Sequence, residues 1–329
     1  MKMHQILTDR AAIRVACGPC DIVFEWENVI SNKLNIPIRH HFTGCHAVGS
    51  LCYRLPKLAR CFKPRRLSLA FDLDAINRFD ENYESIVPCV IDFYLSKDVE
   101  FDRFYVNRDK HPVVLISSRE AYEVLKSRNC PLNIRHWGLS LSDRYVLTEE
   151  VLREKRFDAA IVGRTSKMLE QYISRYQENH PGFDYLVRRF VPCGRGCRAY
   201  YVSARTGKVV CNADTRQQYM DLLRQIRVGL YSTPGIDGDR DVSYNQVTPR
   251  FLEYLVSGCH VLARYPKNPD TEFYELSSMT PNIESYEHFE VEMERALSTP
   301  VDVNRYRSYL AKHTTSARVA QLIEILKEI

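Results

Sequence analysis

The feature that most constrains this chain is a repeated alternation of short apolar runs with amphipathic stretches. In the first half "RRLSLAF", "SIVPCVIDFYL" and "HPVVLISS" read as strands, and "SREAYEVLKSRN" behind the last reads as a helix. Strands and helices taking turns predict βαβ units on a parallel sheet, since parallel neighbours are reached through crossovers. The alternation pauses at the polar, charged stretch "LSLSDRYVLTEEVLREKR", residues 139–156. It restarts with "FDAAIVGRTSKMLEQYISRYQENHPGFDYLVRRF", a strand, a turn at Gly163 and a helix. Then come "AYYVSARTGKVV", two strands around a turn at Thr206 and Gly207, the helix "TRQQYMDLLRQI", and the strands "RVGLYST" and "CHVLARY". At 329 residues the chain is long for one domain, so the pause marks a boundary, with residues 1–150 and 151–329 as two doubly wound α/β domains. "SARVAQLIEILKEI" sets Val319, Leu322, Ile323 and Leu326 on one helical face, a terminal helix bracing both domains.

Composition narrows the function classes. With 45% hydrophobic residues and 26% charged, the chain has the make-up of a globular protein rather than a disordered one. No run approaches a membrane span, and "MKMHQILTDRAAIRVACGPC" lacks a secretory apolar core, so a cytoplasmic protein is expected. Eleven cysteines, an odd number without framework spacing, fit reduced and mostly buried thiols. The net charge of +5 is unevenly spread: "RLPKLARCFKPRR" holds six basic residues in thirteen, with Leu51, Leu55, Leu58 and Phe62 at near-helical spacing. Residues 51–66 therefore suit either peripheral contact with anionic headgroups at the inner face of the membrane or a solvated helix over the N-terminal core. No basic stripe with interleaved aromatics points to nucleic acid.

The densest cluster of chemistry is "YNQVTPRFLEYLVSGCHVLARYP", residues 244–266. Thr248 suits an N-cap, Pro249 the first helical position and Gly258 the C-cap region. Phe251, Leu252, Leu255 and Val256 make a buried face, which leaves Glu253 pointing elsewhere and free for a ligand. In open α/β sheets ligands bind beyond the carboxyl ends of strands, and the loop "STPGIDGDRDVSYNQV" lies there, just past "RVGLY". A diphosphate at the helix start, with Arg250 as bidentate donor and Glu253 accepting from a ribose diol, is one reading. A solvent-facing glutamate beside a long connection is the other. "AAIVGRTSK" adds Gly163, Arg164 and Lys167 after the first strand of the same domain, a backbone and two cations that would frame the same diphosphate.

The stretches "TPRFLEYLVSGCHVLARYP", "FDAAIVGR" and "GLYSTPGID" resemble the nucleotide-sugar-binding half of GT-B glycosyltransferases, the group-1-like proteins that include spore-maturation-type and bacterial surface-polysaccharide transferases. The likeness runs over residues 157–329; over 1–156 it rests on "VVLISSREAYEVLK" and "NIRHWGLSLSD". It implies two Rossmann-like domains facing across a cleft, a nucleotide-diphosphate sugar donor in the C-terminal half, and a glycan or lipid-linked acceptor in the N-terminal half. Glu253 would hold the ribose; Arg250, Arg164 and Lys167 would face the diphosphate; Ser232 and Thr233 would line the donor loop. Many relatives have a second carboxylate eight residues before the ribose-binding one. Here that position is Asn245, and Asp237 is the candidate substitute. Developing charge on the diphosphate would be met by arginine, without a required metal. An inverting reaction also needs a base on the acceptor hydroxyl; Asp92, after "VPCVI", and His136, in "IRHWGLS", are the candidates.

Other motifs compete. Cys17 and Cys20 in "CGPC" have the spacing of a thiol–disulfide oxidoreductase, or of a strand-to-helix turn with two thiols. Asp72 and Asp74 in "FDLDA" have a metal-binding spacing, yet read as a strand-end turn. His40, His41, His46, Cys45 and Cys52 lack zinc-site spacing, and Cys193 and Cys197 in "CGRGC" read as a glycine-rich connection. A non-catalytic sugar-nucleotide-binding protein is the third class, suggested by Asn245.

Overall fold

The computed structural model describes residues 2–8, 18–40, 66–73, 75, 83–153, 155–193, 196–238 and 244–329. Cys17, His41, Cys45, His46, Cys52, residues 51–65 and Asp74 fall outside them, and with them the disulfide, zinc and membrane-contact expectations. The chain divides into two compact units, Met1–Ala16, Val23–Gly138 and Arg318–Ile329 in the first, Cys17–Ile22 and Leu139–Ala317 in the second.

The first unit holds β1 (Met3–Thr8), α1 (Gly18–Leu34, which begins in the second unit's share), β2 (Ile38–His40), β3 (Leu67–Asp72), β4 (Ile86–Val90), α2 (Asp98–Arg108), β5 (Val114–Ile116), α3 (Arg119–Ser127) and β6 (Ile134–His136). Its six strands run in the order β2-β1-β3-β4-β5-β6, every pair parallel. The strands carry near-continuous apolar runs because helices cover such a sheet on both faces; Leu69, Val87 and Leu115 have no exposed surface. Asp72 is the last residue of β3 and is buried in an ion pair with the equally buried Arg108 of α2, so the strand-end reading of this aspartate holds.

The second unit comprises α4 (Glu149–Arg153), β7 (Phe157–Ile161), α5 (Lys167–Asn179), β8 (Tyr185–Cys193), β9 (Gly196–Ser203), β10 (Val209–Asn212), α6 (Arg216–Arg224), β11 (Ile226–Ser232), α7 (Arg250–Val256), β12 (His260–Arg264), α8 (Pro269–Phe273), α9 (Tyr286–Ser298) and α10 (Val303–Ala311). A last helix, α11 (Thr315–Lys327), starts in this unit and continues into the first. The strand order is β10-β9-β8-β7-β11-β12; β8, β7, β11 and β12 are parallel, and β9 and β10 return antiparallel at the edge. The strand β8 was hidden in the sequence, where "FDYLVRRF" trails the preceding helix. Cys193 and Cys197 lie on the β8–β9 hairpin, in line with a simple connection.

Three expectations change. The unit boundary falls at Gly138/Leu139 rather than 150/151, because Leu141, Tyr145, Leu147 and Val151 are buried in the second unit's core. The charges of "LSLSDRYVLTEEVLREKR" obscured that apolar content. On α11, Ile323 is exposed, while Ile325 joins Val319, Leu322 and Leu326 in being buried. Every residue from Phe251 to Val256 of α7 is buried, since this seven-residue helix packs against α6, α10, β11 and β12.

That helix is held by interlocking shapes. The Tyr254 ring fills the space over Gly229 of β11, where an added Cβ would come within 2.4 Å of it. Its hydroxyl accepts from the Val162 N–H (3.2 Å) and donates to the Leu230 carbonyl (3.3 Å), tying α7 to β11 and to the end of β7. At the other end Gly258 takes φ +64°, and the Cys259 and Gly258 N–H groups donate to Tyr254 and Leu255 carbonyls, the paired bonds of a glycine-terminated helix. Gly229→Ala should push Tyr254 out of register and cost about 1–3 kcal/mol of stability. At about 2–4 °C per kcal/mol a thermal melt detects this, and a wild-type melting temperature would contradict the packing described.

Candidate functional site

The carboxyl edge of the second sheet gathers the loops after β7 and β11 and the start of α7. Gly163 follows β7 with φ +85°, a conformation that disfavours any side chain. Space forbids one as well: a Cβ here would lie 2.7 Å from Cζ of Arg250. The guanidinium of Arg250 rests on this bare backbone and donates to the Arg164 carbonyl. Two segments 86 positions apart in sequence are thereby joined. Arg164 is exposed beside them, and Lys167 is the exposed first residue of α5, whose N-cap Ser166 accepts from the Leu169 N–H at 3.2 Å.

Glu253 lies one turn into α7, but it is neither solvent-facing nor free. Its side chain is 4% exposed, with Oε1 2.6 Å from Nη2 of Arg216 and Oε2 accepting from the Tyr219 hydroxyl at 2.7 Å. The physical reason is that α7 is covered all round, so the face turned away from Phe251 and Leu255 meets α6 instead of water. A buried carboxylate requires such partners. Both come from α6, where Thr215 and Gln218 form a capping box that starts the helix; Arg216 and Tyr219 are then three residues apart on one face. The start of α7 also differs in detail: Pro249 already has helical angles (φ −56°, ψ −22°), and no side chain caps the helix. Thr248 contributes its carbonyl to the Phe251 N–H, and its own N–H donates to the Tyr231 hydroxyl.

Ser232, the last residue of β11, and Thr233, the first beyond it, are buried, and the Thr233 hydroxyl donates to Oδ1 of Asn245 at 3.1 Å. The Asn245 carbonyl accepts from Asn268 Nδ2 at 3.2 Å, so residue 245 is tied into the loop scaffold. Asp237 takes φ +63°, and its carboxylate is clasped by Arg264 through Nε at 2.6 and 2.8 Å and Nη2 at 2.5 Å. As a substitute for a carboxylate at 245 it is already committed to that arginine. The clasp is the leading cause that raises the Arg264 pKa.

The candidate bases both lie at the carboxyl edge of the first sheet. Register pairs Val90 with Ile116 and Ile116 with His136. Asp92, two residues beyond Val90, is therefore separated from His136 by the whole of β5, about 10 Å at ordinary strand spacing. Asp92 is partly exposed. His136 is buried, and burial first, then the charges of Arg119 and Arg318, push its pKa down to about 3. An imidazole so held is neutral at pH 7 and a weak proton acceptor, which disfavours it as the base.

Arg188 was not anticipated. It lies on β8 opposite Tyr201, on the sheet face of Leu186, with its guanidinium over the Phe190 ring at 4.7 Å. The alternation of "YLVRRF" carried the signal, since residues 186, 188 and 190 share one face of a strand. Among the described residues no His, Cys, Asp or Glu cluster is arranged as a metal site, and no helix is long and apolar enough to cross a membrane.

The chain matches no family model, and no curated protein matches it. Solved structures do resemble it along their whole length. The sucrose-phosphate synthase of Thermosynechococcus elongatus superposes with TM-score 0.60 at 10% identity, covering 100% of this chain and 99% of that one. A glycosyltransferase from Rickettsia africae gives 0.52 at 8% identity, over 100% and 99%. AviGT4, a glycosyltransferase involved in avilamycin A biosynthesis, gives 0.54 at 10% identity, over 98% and 96%. The chain therefore has the two-unit Rossmann-like fold of the GT-B glycosyltransferases.

Removing the cation from Glu253 tests the buried cluster. Arg216→Met should cost about 3–5 kcal/mol by stranding a buried carboxylate. Glu253→Gln in the same chain should recover part of it, with a coupling of about 1–3 kcal/mol in a urea-unfolding double-mutant cycle. Purely additive effects would contradict the pairing.

Proposed function

We propose that the chain is a glycosyltransferase that moves a sugar from a nucleotide-diphosphate donor to a hydroxyl of a glycan or lipid-linked glycan, as in surface-polysaccharide synthesis. The observation that carries this reading is the guanidinium of Arg250 seated on Gly163, with Glu253 one turn further along the same helix. The fold supports it, because this is the carboxyl edge of a parallel sheet, where such folds take their ligands.

Chemistry follows from what each group offers. As the bond from sugar to diphosphate breaks, negative charge grows on the leaving oxygens, and Arg250, seated on Gly163, meets it with Arg164 beside it. A carboxylate has about four acceptor positions. Arg216 and Tyr219 occupy two on Glu253, leaving two for the hydroxyls of a ribose diol. With Asp237 held by Arg264 and an amide at 245, the donor sugar is recognised by hydrogen bonding from Ser232, Thr233 and Asn245 rather than by a free carboxylate. On the acceptor side Asp92 is the better base, since His136 holds a proton too weakly. This reading takes the protein as cytoplasmic, with the basic stretch 51–66 as the contact for a lipid-linked acceptor.

The test is thermal unfolding with UDP-, GDP-, ADP-, CMP- and dTDP-sugars, followed by titration of the one that binds. Glu253→Gln should weaken that binding by about 1.5–3 kcal/mol, roughly 10- to 150-fold. No shift of the wild-type melt by any nucleotide sugar, or unchanged affinity in a folded Glu253→Gln variant, would overturn the assignment.

A further inference from the structure

Arg188 lies on β8 level with Val162, one strand over from Gly163, on which the Arg250 guanidinium rests, and among the described residues neither arginine is in an ion pair with a carboxylate. Arg188 is partly buried, lies in the middle of β8 at a level just past the end of β7, and shares its sheet face with Tyr201 and Leu186. Its guanidinium lies over the Phe190 ring, 4.7 Å from the centroid, within the electrostatic reach of the Tyr201, Tyr219 and Tyr254 phenols and of the like charge of Arg250. Burial, and to a lesser degree Arg250, push the Arg188 pKa down, the sign expected for a cation lacking a counter-charge. The neighbouring carboxylate, Glu253, is committed to Arg216.

Two like charges near one another in a partly buried place repel, and the Phe190 ring under Arg188 and the Arg164 carbonyl under Arg250 supply no full negative charge to offset that. The contact with the exposed Phe190 ring is worth at most about 1 kcal/mol at such a site and does not by itself call for a partly buried cation beside another. The arrangement gains favour when an anion lies between them, because each fork then has oxygens to donate to.

We infer that Arg188 is a second anion-binding residue of this site and that, with Arg250, it selects a diphosphate over a monophosphate. The inference rests on the donor-site reading, which assigns Arg250 but not Arg188. A diphosphate carries more charge and spreads its oxygens over two phosphorus centres, so it gains more from two separate forks than a monophosphate does. The same pair would help to hold the diphosphate as it leaves.

Inorganic pyrophosphate and inorganic phosphate serve as probes, with UDP and UMP, GDP and GMP, and ADP and AMP as matched pairs. Wild type should bind pyrophosphate and one nucleoside diphosphate at least about tenfold more tightly than the matching monophosphate. Arg188→Gln should weaken the diphosphates about tenfold or more and narrow that preference, while the ligand-free variant melts at or above the wild-type temperature because a repulsion is gone. Arg189→Gln, exposed on the opposite face of the strand, should leave binding unchanged. Equal pyrophosphate affinity in wild type and Arg188→Gln, with loss only in Arg250→Gln, overturns the role of Arg188 and leaves the donor site standing. A lower ligand-free melting temperature in Arg188→Gln also overturns it, by showing that the protein itself compensates the charge. If wild type binds neither pyrophosphate nor any nucleoside diphosphate, the donor-site reading falls and this inference with it.

Discussion

The contact between the Tyr254 ring and the bare backbone of Gly229 governs the rest of the site. A side chain at 229 would lift α7 from the sheet, and α7 carries Arg250 at one end of its first turn and Glu253 at the other. Because the Tyr254 hydroxyl also bridges Val162 and Leu230, the helix is registered against two strands at once. The position of Arg250 over Gly163 is then a consequence of core packing, and the absence of a side chain at 163 completes the fit. Two glycines, one in a strand and one in a loop, turn a hydrophobic interface into a cradle with a fixed cation.

Against that packing stands a cluster of charge that a core would do better without. Glu253, Arg216, Arg188 and Arg250 occupy a region where desolvation is costly, and a buried ion pair seldom repays its desolvation in full. Tyr219 and Arg216 hold both oxygens of Glu253 in place, so the carboxylate is oriented before any ligand arrives.

Much of this was legible in the sequence, and the misses have physical causes. Gly163, Arg164 and Arg250 were readable because glycine after a strand and Pro-Arg at a helix start each carry a backbone requirement. The environment of Glu253 was not, since a helical wheel shows which face is apolar and cannot show that α6 covers the opposite one. Arg188 was lost when β8 was read as the tail of a helix, and with it the β8–β9 pairing, although the hairpin of β9 and β10 around Thr206 and Gly207 was legible. The boundary was misjudged because charged residues near 150 outnumber the few leucines that decide where the segment packs. Ile323 failed for the opposite reason, as an apolar residue left exposed where the neighbouring Ile325 is buried. His136 matched the type of residue a base requires, and only its burial reveals that it holds a proton too weakly.

Backbone-amide hydrogen exchange with saturating UDP, GDP and ADP in turn would test the central claim most directly. The account predicts that one of them slows exchange in residues 163–167 and 245–250 together, the two segments that Arg250 joins. Slowing confined to the first unit, or none in these segments with a nucleotide demonstrably bound, would contradict a donor site at the carboxyl edge of the second sheet.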